Sequence, residues 1–326
     1  MLWGILALRS VDIGLYDTKE VYFYYFEMLG SMNFLEILKY RWMDDKIFYI
    51  GMKAIKIIVD NYQICIAILA IPFVYSTVKF IEKKSDNPFF SFVVYIALYY
   101  MYGTFLLRQV IAIGIILFSI DYIENKKIIK FIMVVLIASL FHKTALIFLI
   151  AYPFCFYNKF GLKNYIYIIL SLVFSYIFND FVIYFLKEFD FTNKIEFALN
   201  NGLYTINGDI SMVGLVITVS LLIFASYYRK IAIKNKIYDY NKDVYLNIST
   251  LGSMMYACSG IISEFYRVAL YFSIINILLI SNFIIYEKKV YIRRFEKYVI
   301  FMLFVFYFLA RTINNVNANP YLFFWQ

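Results

Sequence analysis

The chain has one histidine, three cysteines, four prolines and 12 glycines in 326 residues, and only 16% of it is charged. Each scarcity excludes something. His142 has no acidic or cysteine partner at ligand spacing, which argues against a metal site, since zinc wants three or four such donors. Cys65, Cys155 and Cys258 lie in or beside apolar stretches without paired spacing, so they read as small core residues, not a disulfide framework or metal knuckle. No glycine-rich phosphate loop or nucleotide-binding strand pattern occurs, so neither a cytosolic nucleotide nor any cofactor is expected. Internal repeats and low-complexity tracts are also missing.

What is present is apolar. AVILMFWYC residues make up 63% of the chain, and exchanging the 33 Tyr for the 12 Gly still leaves roughly 56%, against about 45–50% in soluble domains. Mean hydropathy is +0.72. Few prolines and such an excess suit long helices that satisfy their own backbone in hydrocarbon. The fold class is therefore all-α, a polytopic transmembrane helical bundle in one domain, residues 1–326. The net charge of +9 does not indicate nucleic acid, because Lys and Arg come in short clusters between apolar runs and not on one basic face.

Spans of roughly 20 apolar residues or somewhat fewer are expected at 62–81, 89–107, 109–123, 128–141, 144–157, 164–187, 212–228, 244–262, 267–286 and 298–313. Residues 128–157 read either as one tilted helix or as two short ones meeting near His142, and charge separates the readings. Lys83/Lys84, Lys126/Lys127 and Lys288/Lys289/Arg293/Arg294 mark cytoplasmic loops. With 128–157 split, Lys159/Lys163 and the basic 229–243 loop also fall inside and the acidic 188–209 loop falls outside. A single helix reverses all three, so the split is expected.

That topology puts residues 9–61, the turn at Arg108, the break at His142, the Glu264–Arg267 turn and the tail 314–326 on the extracytoplasmic side of the core at 62–313. Residues 17–58 have helical spacing of Val21, Tyr24, Tyr25, Met28 and Leu29 with charges interspersed, as interfacial helices do, and Trp42 reads as a headgroup anchor. Met1–Leu8 reads as the last turns of a spanning helix that leaves the membrane at Arg9.

Few residues could do chemistry. An imidazole accepts or donates a proton near neutral pH, so His142 suits general acid/base work; a lone histidine can equally tie two helices by hydrogen bonds. Arg108, with Gln109, interrupts the apolar stretch from Phe89 to Ile120. A guanidinium there meets an anion in a polar cavity, or snorkels to headgroups. Arg267 stands i, i+3 from Glu264, the spacing of a plain surface ion pair. Arg9, Asp12 and Asp17 form a polar exit loop that also reads as solvated turn. Tyr321, Phe323, Phe324 and Trp325 offer flat faces to sugars or anchors to the interface.

The blocks Leu107-Arg108-Gln109-Val110-Ile111-Ala112 and Ala138-Ser139-Leu140-Phe141-His142-Lys143-Thr144-Ala145 resemble the core of the EpsG family, relatives of Wzy-type O-antigen polymerases. The loop Arg9–Thr18, the turn Glu264-Phe265-Tyr266-Arg267 with Leu270-Tyr271-Phe272, and Asn319-Pro320-Tyr321 are similar to its other landmarks. Two departures stand out. The family usually opens with a complete helix before the one ending at Arg9, and its Gly-x-Asp-Thr has an extra residue here, Gly14-Leu15-Tyr16-Asp17-Thr18.

The resemblance implies a metal-independent glycosyltransferase of the bacterial cytoplasmic membrane. It would polymerise undecaprenyl-diphosphate-linked oligosaccharide units into O-antigen, capsular or exopolysaccharide, with membrane lipid and a chain-length regulator as partners. His142, Arg108 and Arg267 would be catalytic, and Gln109, Ser139, Arg9, Asp17 and Glu264 would bind substrate. A ligase uses similar donors and similar Arg and His groups. A flippase or transporter would show inverted repeats or broken helices at corresponding positions, and a lone-His membrane acyltransferase would not gather arginines on one face.

Overall fold

The structure, a computed structural model, describes residues 2–11, 17–40, 43, 45–177, 181, 184, 211–261, 265–313 and 321–325. In chain order its α-helices are α1 (Leu2–Ala7), α2 (Phe23–Met28), α3 (Phe34–Lys39), α4 (Lys46–Ile58), α5 (Tyr62–Leu69), α6 (Ile71–Lys84), α7 (Pro88–Leu98), α8 (Leu107–Glu124) and α9 (Ile128–Ser139). They continue as α10 (Ala151–Tyr157), α11 (Leu162–Ile177), α12 (Met212–Lys234), α13 (Asp243–Ala257), α14 (Phe265–Ser273), α15 (Leu279–Phe283) and α16 (Val290–Ile313). Among the described residues there is no strand, only an isolated bridge between Arg9 and Phe323. Among the described residues three helical stretches, Tyr62–Lys84, Met212–Lys234 and Phe265–Tyr286, are long and apolar enough to cross a membrane. Several shorter apolar helices accompany them, as in a multi-pass membrane protein.

The described residues form two compact units, Met1–Leu146 with Lys288–Gln326, and Ile147–Glu287. In the first, residues from α2 to α4 share a core with α5 and α8. Tyr22, Phe26 and Leu29 from the α2 region, Ile37 from α3, and Phe48, Tyr49 and Met52 from α4 are buried with Cys65 and Ile66 of α5 and Leu107 and Ile111 of α8. The expected interfacial helices thus have a buried face, while α3 leaves Phe34, Leu35 and Leu38 exposed. Asn33 and Glu36 close a reciprocal capping box at the start of α3. Lys53 Nζ donates to the carbonyl of Leu29 at 2.7 Å, fastening the end of α2 to α4. Trp42 lies outside the described residues.

The split at His142 is present: α9 stops at Ser139, and a 3-10 segment runs from Lys143 to Ile150 before α10. The expected single helix over 89–107 is not. α7 ends at Leu98, Tyr100–Thr104 form a 3-10 turn, and α8 begins at Leu107. At the end of this break the carbonyl of Thr104 accepts Arg9 Nη2 at 2.9 Å and Thr18 Oγ1 at 2.7 Å in place of the helical N–H four residues on. Other runs shift at their ends. α12 carries Arg229, Lys230 and Lys234 within the helix, and α16 starts eight residues before the expected 298.

The second unit packs α13 against α10, α11, α12 and α14. Its interior holds an amide network in which Asn158, Asn164 and Asn247 bond one another and Asn164 reaches Thr250 at 3.0 Å. Arg229 binds Asp243 through Nε and Nη2 at 2.6 and 2.8 Å, the forked geometry that favours Arg over Lys.

Helix α8 lies close to α6 at Gly114. A Cβ there would meet Ser76 Cβ and Oγ at 3.1 Å and the Pro72 carbonyl at 3.4 Å. Gly114→Val should therefore push α8 off α6 and cost about 1–3 kcal/mol. Thermal denaturation of the detergent-purified chain checks this, and an unchanged midpoint would mean the two helices separate freely.

Candidate functional site

Three chain segments of the first unit meet around one carboxylate. Arg108 occupies the first turn of α8, just after the break at Thr104. That position is electrostatically costly, because a helix N-terminus carries positive partial charge and disfavours a cation. The guanidinium is stabilised from three sides. Its Nη1 donates to Asp45 Oδ2 at 2.9 Å and its Nε to the Tyr22 hydroxyl at 3.3 Å. The Tyr22 and Tyr49 rings lie 5.5 and 5.8 Å from it, within reach of cation–π attraction.

Asp45 immediately precedes α4, where an aspartate normally caps the helix by accepting an N–H from its first turn. Here it makes no such bond. Its Oδ2 turns instead to Arg108 and to His142 Nδ1 at 3.1 Å, and its Oδ1 accepts the Lys143 backbone N–H, also at 3.1 Å. Burial pushes the Asp45 carboxyl up, but the His142 hydrogen bond, the Arg108 guanidinium and the Lys143 N–H outweigh it, holding the group below the ordinary carboxylate range. The Asp45 side chain is 3% exposed, whereas those of Arg108 and His142 keep 25% and 24%. An anionic hub is sealed beneath two partly open cationic or basic groups.

His142 reaches this point because α9 ends. The N–H groups of Phe141 and His142 both return to the Ala138 carbonyl, and the chain then turns into the 3-10 segment. Arg108 and His142 thus share one end of the α8–α9 pair. At the other end Lys83 and Lys84 bond Asp121 at 2.5 and 2.6 Å, and Lys84 also pairs with Glu124. With 18 residues, α8 separates the two ends by about 27 Å, close to the ~30 Å of a hydrocarbon core.

The remaining candidates are distributed differently. Gln109 is buried beside Arg108. The Ser139 hydroxyl turns back to the Leu136 carbonyl of its own helix at 2.7 Å. Arg9 is fully buried, and its guanidinium donates to the carbonyls of Leu6 and Thr104. It shapes the turn that presents Arg108 and has no open face of its own. Asp17 opens the turn Asp17–Tyr22, which ends on the Tyr22 that holds Arg108. Arg267 lies in the second unit, where its Nε donates to the Tyr266 hydroxyl at 3.2 Å. Glu264 and Asp12 lie outside the described residues. Among the described residues no cluster of three or more His, Cys, Asp or Glu could hold a metal.

Sequence reasoning missed Asp45, Tyr22 and Tyr49. The one available signal is the order Asp45-Lys46 before an apolar run, which marks a helix start. It gives no hint that the side chain would leave the helix.

Asp45→Ala would leave Arg108 near hydrocarbon without its anion and should lower stability by about 3–5 kcal/mol. Tyr22→Phe, losing one long hydrogen bond, should cost about 1 kcal/mol. Because folding lowers the affinity of Asp45 for its proton, its contribution is full above about pH 4 and is lost as pH falls through the depressed folded value. Denaturation of wild type and Asp45→Ala across that range should show the two curves converging in acid.

No curated protein and no solved structure matches the chain. The sequence model of one family matches residues 1–325, nearly the whole length and every segment that builds the site. The chain belongs to the EpsG family, a Wzy-like family of polymerases.

Proposed function

We propose that this protein is an integral-membrane glycosyltransferase that polymerises undecaprenyl-diphosphate-linked oligosaccharide repeat units on the outer face of the cytoplasmic membrane. The observation that carries the reading is the shared carboxylate, which brings a partly open guanidinium and a partly open imidazole from two helix ends to one place. Sidedness is supported by the lysines at the opposite end of α8, since Lys-rich loops face the cytoplasm.

In the reaction a hydroxyl of one lipid-linked unit attacks the anomeric carbon of the growing chain. The new glycosidic C–O bond forms as the bond to the lipid diphosphate breaks. The electron pair leaves with undecaprenyl diphosphate, and the hydroxyl proton passes to His142 and then to water. Arg108 stabilises the charge gathering on the leaving diphosphate, the kind of electrostatic help that is often the largest catalytic term. Its fork suits a phosphate better than a lysine point charge does. Neither step calls for a metal. The part of Arg267 rests on the family resemblance.

His142→Ala should abolish polymer while single repeat units accumulate on lipid, read by surface glycan profiling in a deletion strain complemented with the variant. Wild-type chain lengths would remove His142 from the mechanism. Arg108→Lys should lower polymer by roughly 10- to 100-fold, the loss of about one charge-assisted hydrogen bond. Full activity would mean the guanidinium only reaches for headgroups. Arg267→Lys in the same assay tests the second cation separately.

A further inference from the structure

We infer that Asp45 is a positioning residue for this transfer: it locks His142 with the proton on Nδ1, leaving Nε2 as the atom that accepts the hydroxyl proton, and holds Arg108 beside it. The inference rests on the proposed polymerase reading for its chemistry, but the geometry stands apart from it.

Asp45 precedes α4 without capping it. A helix-capping aspartate is worth about 1 kcal/mol where it accepts its own helix's N–H groups. Asp45 forgoes that bond and faces two other segments, α8 and the break after α9, so the local preference is overridden by something across the fold. Its oxygens receive three donors: Arg108 Nη1 at 2.9 Å, His142 Nδ1 at 3.1 Å and the Lys143 N–H at 3.1 Å. An ionised carboxylate only accepts hydrogen bonds. The His142 nitrogen facing it must therefore be the protonated one, and a neutral ring must carry its lone pair on Nε2. Among the described residues nothing bonds Nε2, and a quarter of the side chain is open. Among the described residues the ring bonds Asp45, which also holds Arg108 from α8 and the N–H of Lys143 beside the ring in the chain, and Arg108 in turn is flanked by Tyr22 from the turn before α2 and Tyr49 of α4.

A carboxylate that fixes an imidazole tautomer is a recurring device in proton transfer. Replacing it by the isosteric amide keeps the shape but allows the wrong tautomer, at a cost of about 10⁴ in a Ser-His-Asp triad. In the Asp45→Asn variant the new amide can donate its N–H to Nδ1, which would put the ring proton on Nε2 and leave that atom nothing with which to accept. The substitution would also give Arg108 a neutral partner.

Because His142 is the only histidine, its tautomer can be read directly. The full chain would be grown on heavy-nitrogen histidine, purified through a histidine-free tag, and its ring nitrogen resonances recorded above the pH at which the ring titrates. Wild type should show a protonated, pyrrole-like Nδ1 and a bare, pyridine-like Nε2. Asp45→Asn should invert or mix the two. A pyridine-like Nδ1 in wild type, or identical spectra for both proteins, would overturn the inference whether or not the chain makes polymer.

The same preparations, given lipid-linked repeat units, supply the chemical arm. Asp45→Asn should lose roughly 10²- to 10⁴-fold in turnover with little change in half-saturation by the lipid-linked unit. Asp45→Glu should recover part of the rate. A merely structural carboxylate would reduce the amount of folded protein and leave the turnover of each folded molecule and the spectrum as in wild type. Polymer-free wild type with the expected spectrum would strike the polymerase reading and leave the tautomer assignment standing.

Discussion

One buried carboxylate organises the first unit of this protein. Asp45 takes the Arg108 guanidinium, the His142 ring and the Lys143 N–H, three donors from two segments far apart in sequence. A cation in the first turn of a helix, close to hydrocarbon, is unfavourable alone. A buried carboxylate without donors is equally unfavourable. Together they stabilise each other, and that mutual need places His142 next to Arg108. The pair is left partly open above a sealed counter-ion, with a positive helix end behind it. Such a place favours a further anion, and under the proposed function that anion is a lipid diphosphate.

Several features of the fold serve this arrangement. The Thr104 carbonyl is taken by Arg9 and Thr18 at the end of the break that precedes Arg108. Arg9 thus acts through shape: buried, it sets the turn and does not meet solvent. The α2 and α4 segments supply Tyr22 and Tyr49 as flanking rings and place Asp45 at the start of α4, with Lys53 holding α4 to the end of α2. Close approach of α6 and α8 at Gly114 leaves α8 little freedom to shift.

The sequence revealed elements whose physics is local. Long apolar runs, their basic flanks and the break at His142 followed from hydrophobic length and charge placement, which depend on neighbours in the chain. Arg108 and His142 stood out because each is chemically rare in its surroundings. What escaped was long-range. Nothing near Asp45 distinguishes a capping aspartate from one turned toward residues more than 60 positions away. The break between α7 and α8, whose last carbonyl bonds Arg9 and Thr18 from the exit loop, lies in an unbroken apolar run and so was read as continuous helix. The hydroxyl of Ser139, a substrate-binding candidate by resemblance, donates to a carbonyl of its own helix, a bond that spacing alone does not announce.

The most direct test is to give the purified chain, reconstituted alone in lipid vesicles, nothing but undecaprenyl-diphosphate-linked repeat units, with a metal chelator and without nucleotides. The account predicts a ladder of lengthening glycan and one undecaprenyl diphosphate released for each linkage formed. Release without lengthening, or growth only when a nucleotide sugar or divalent metal is supplied, would contradict it.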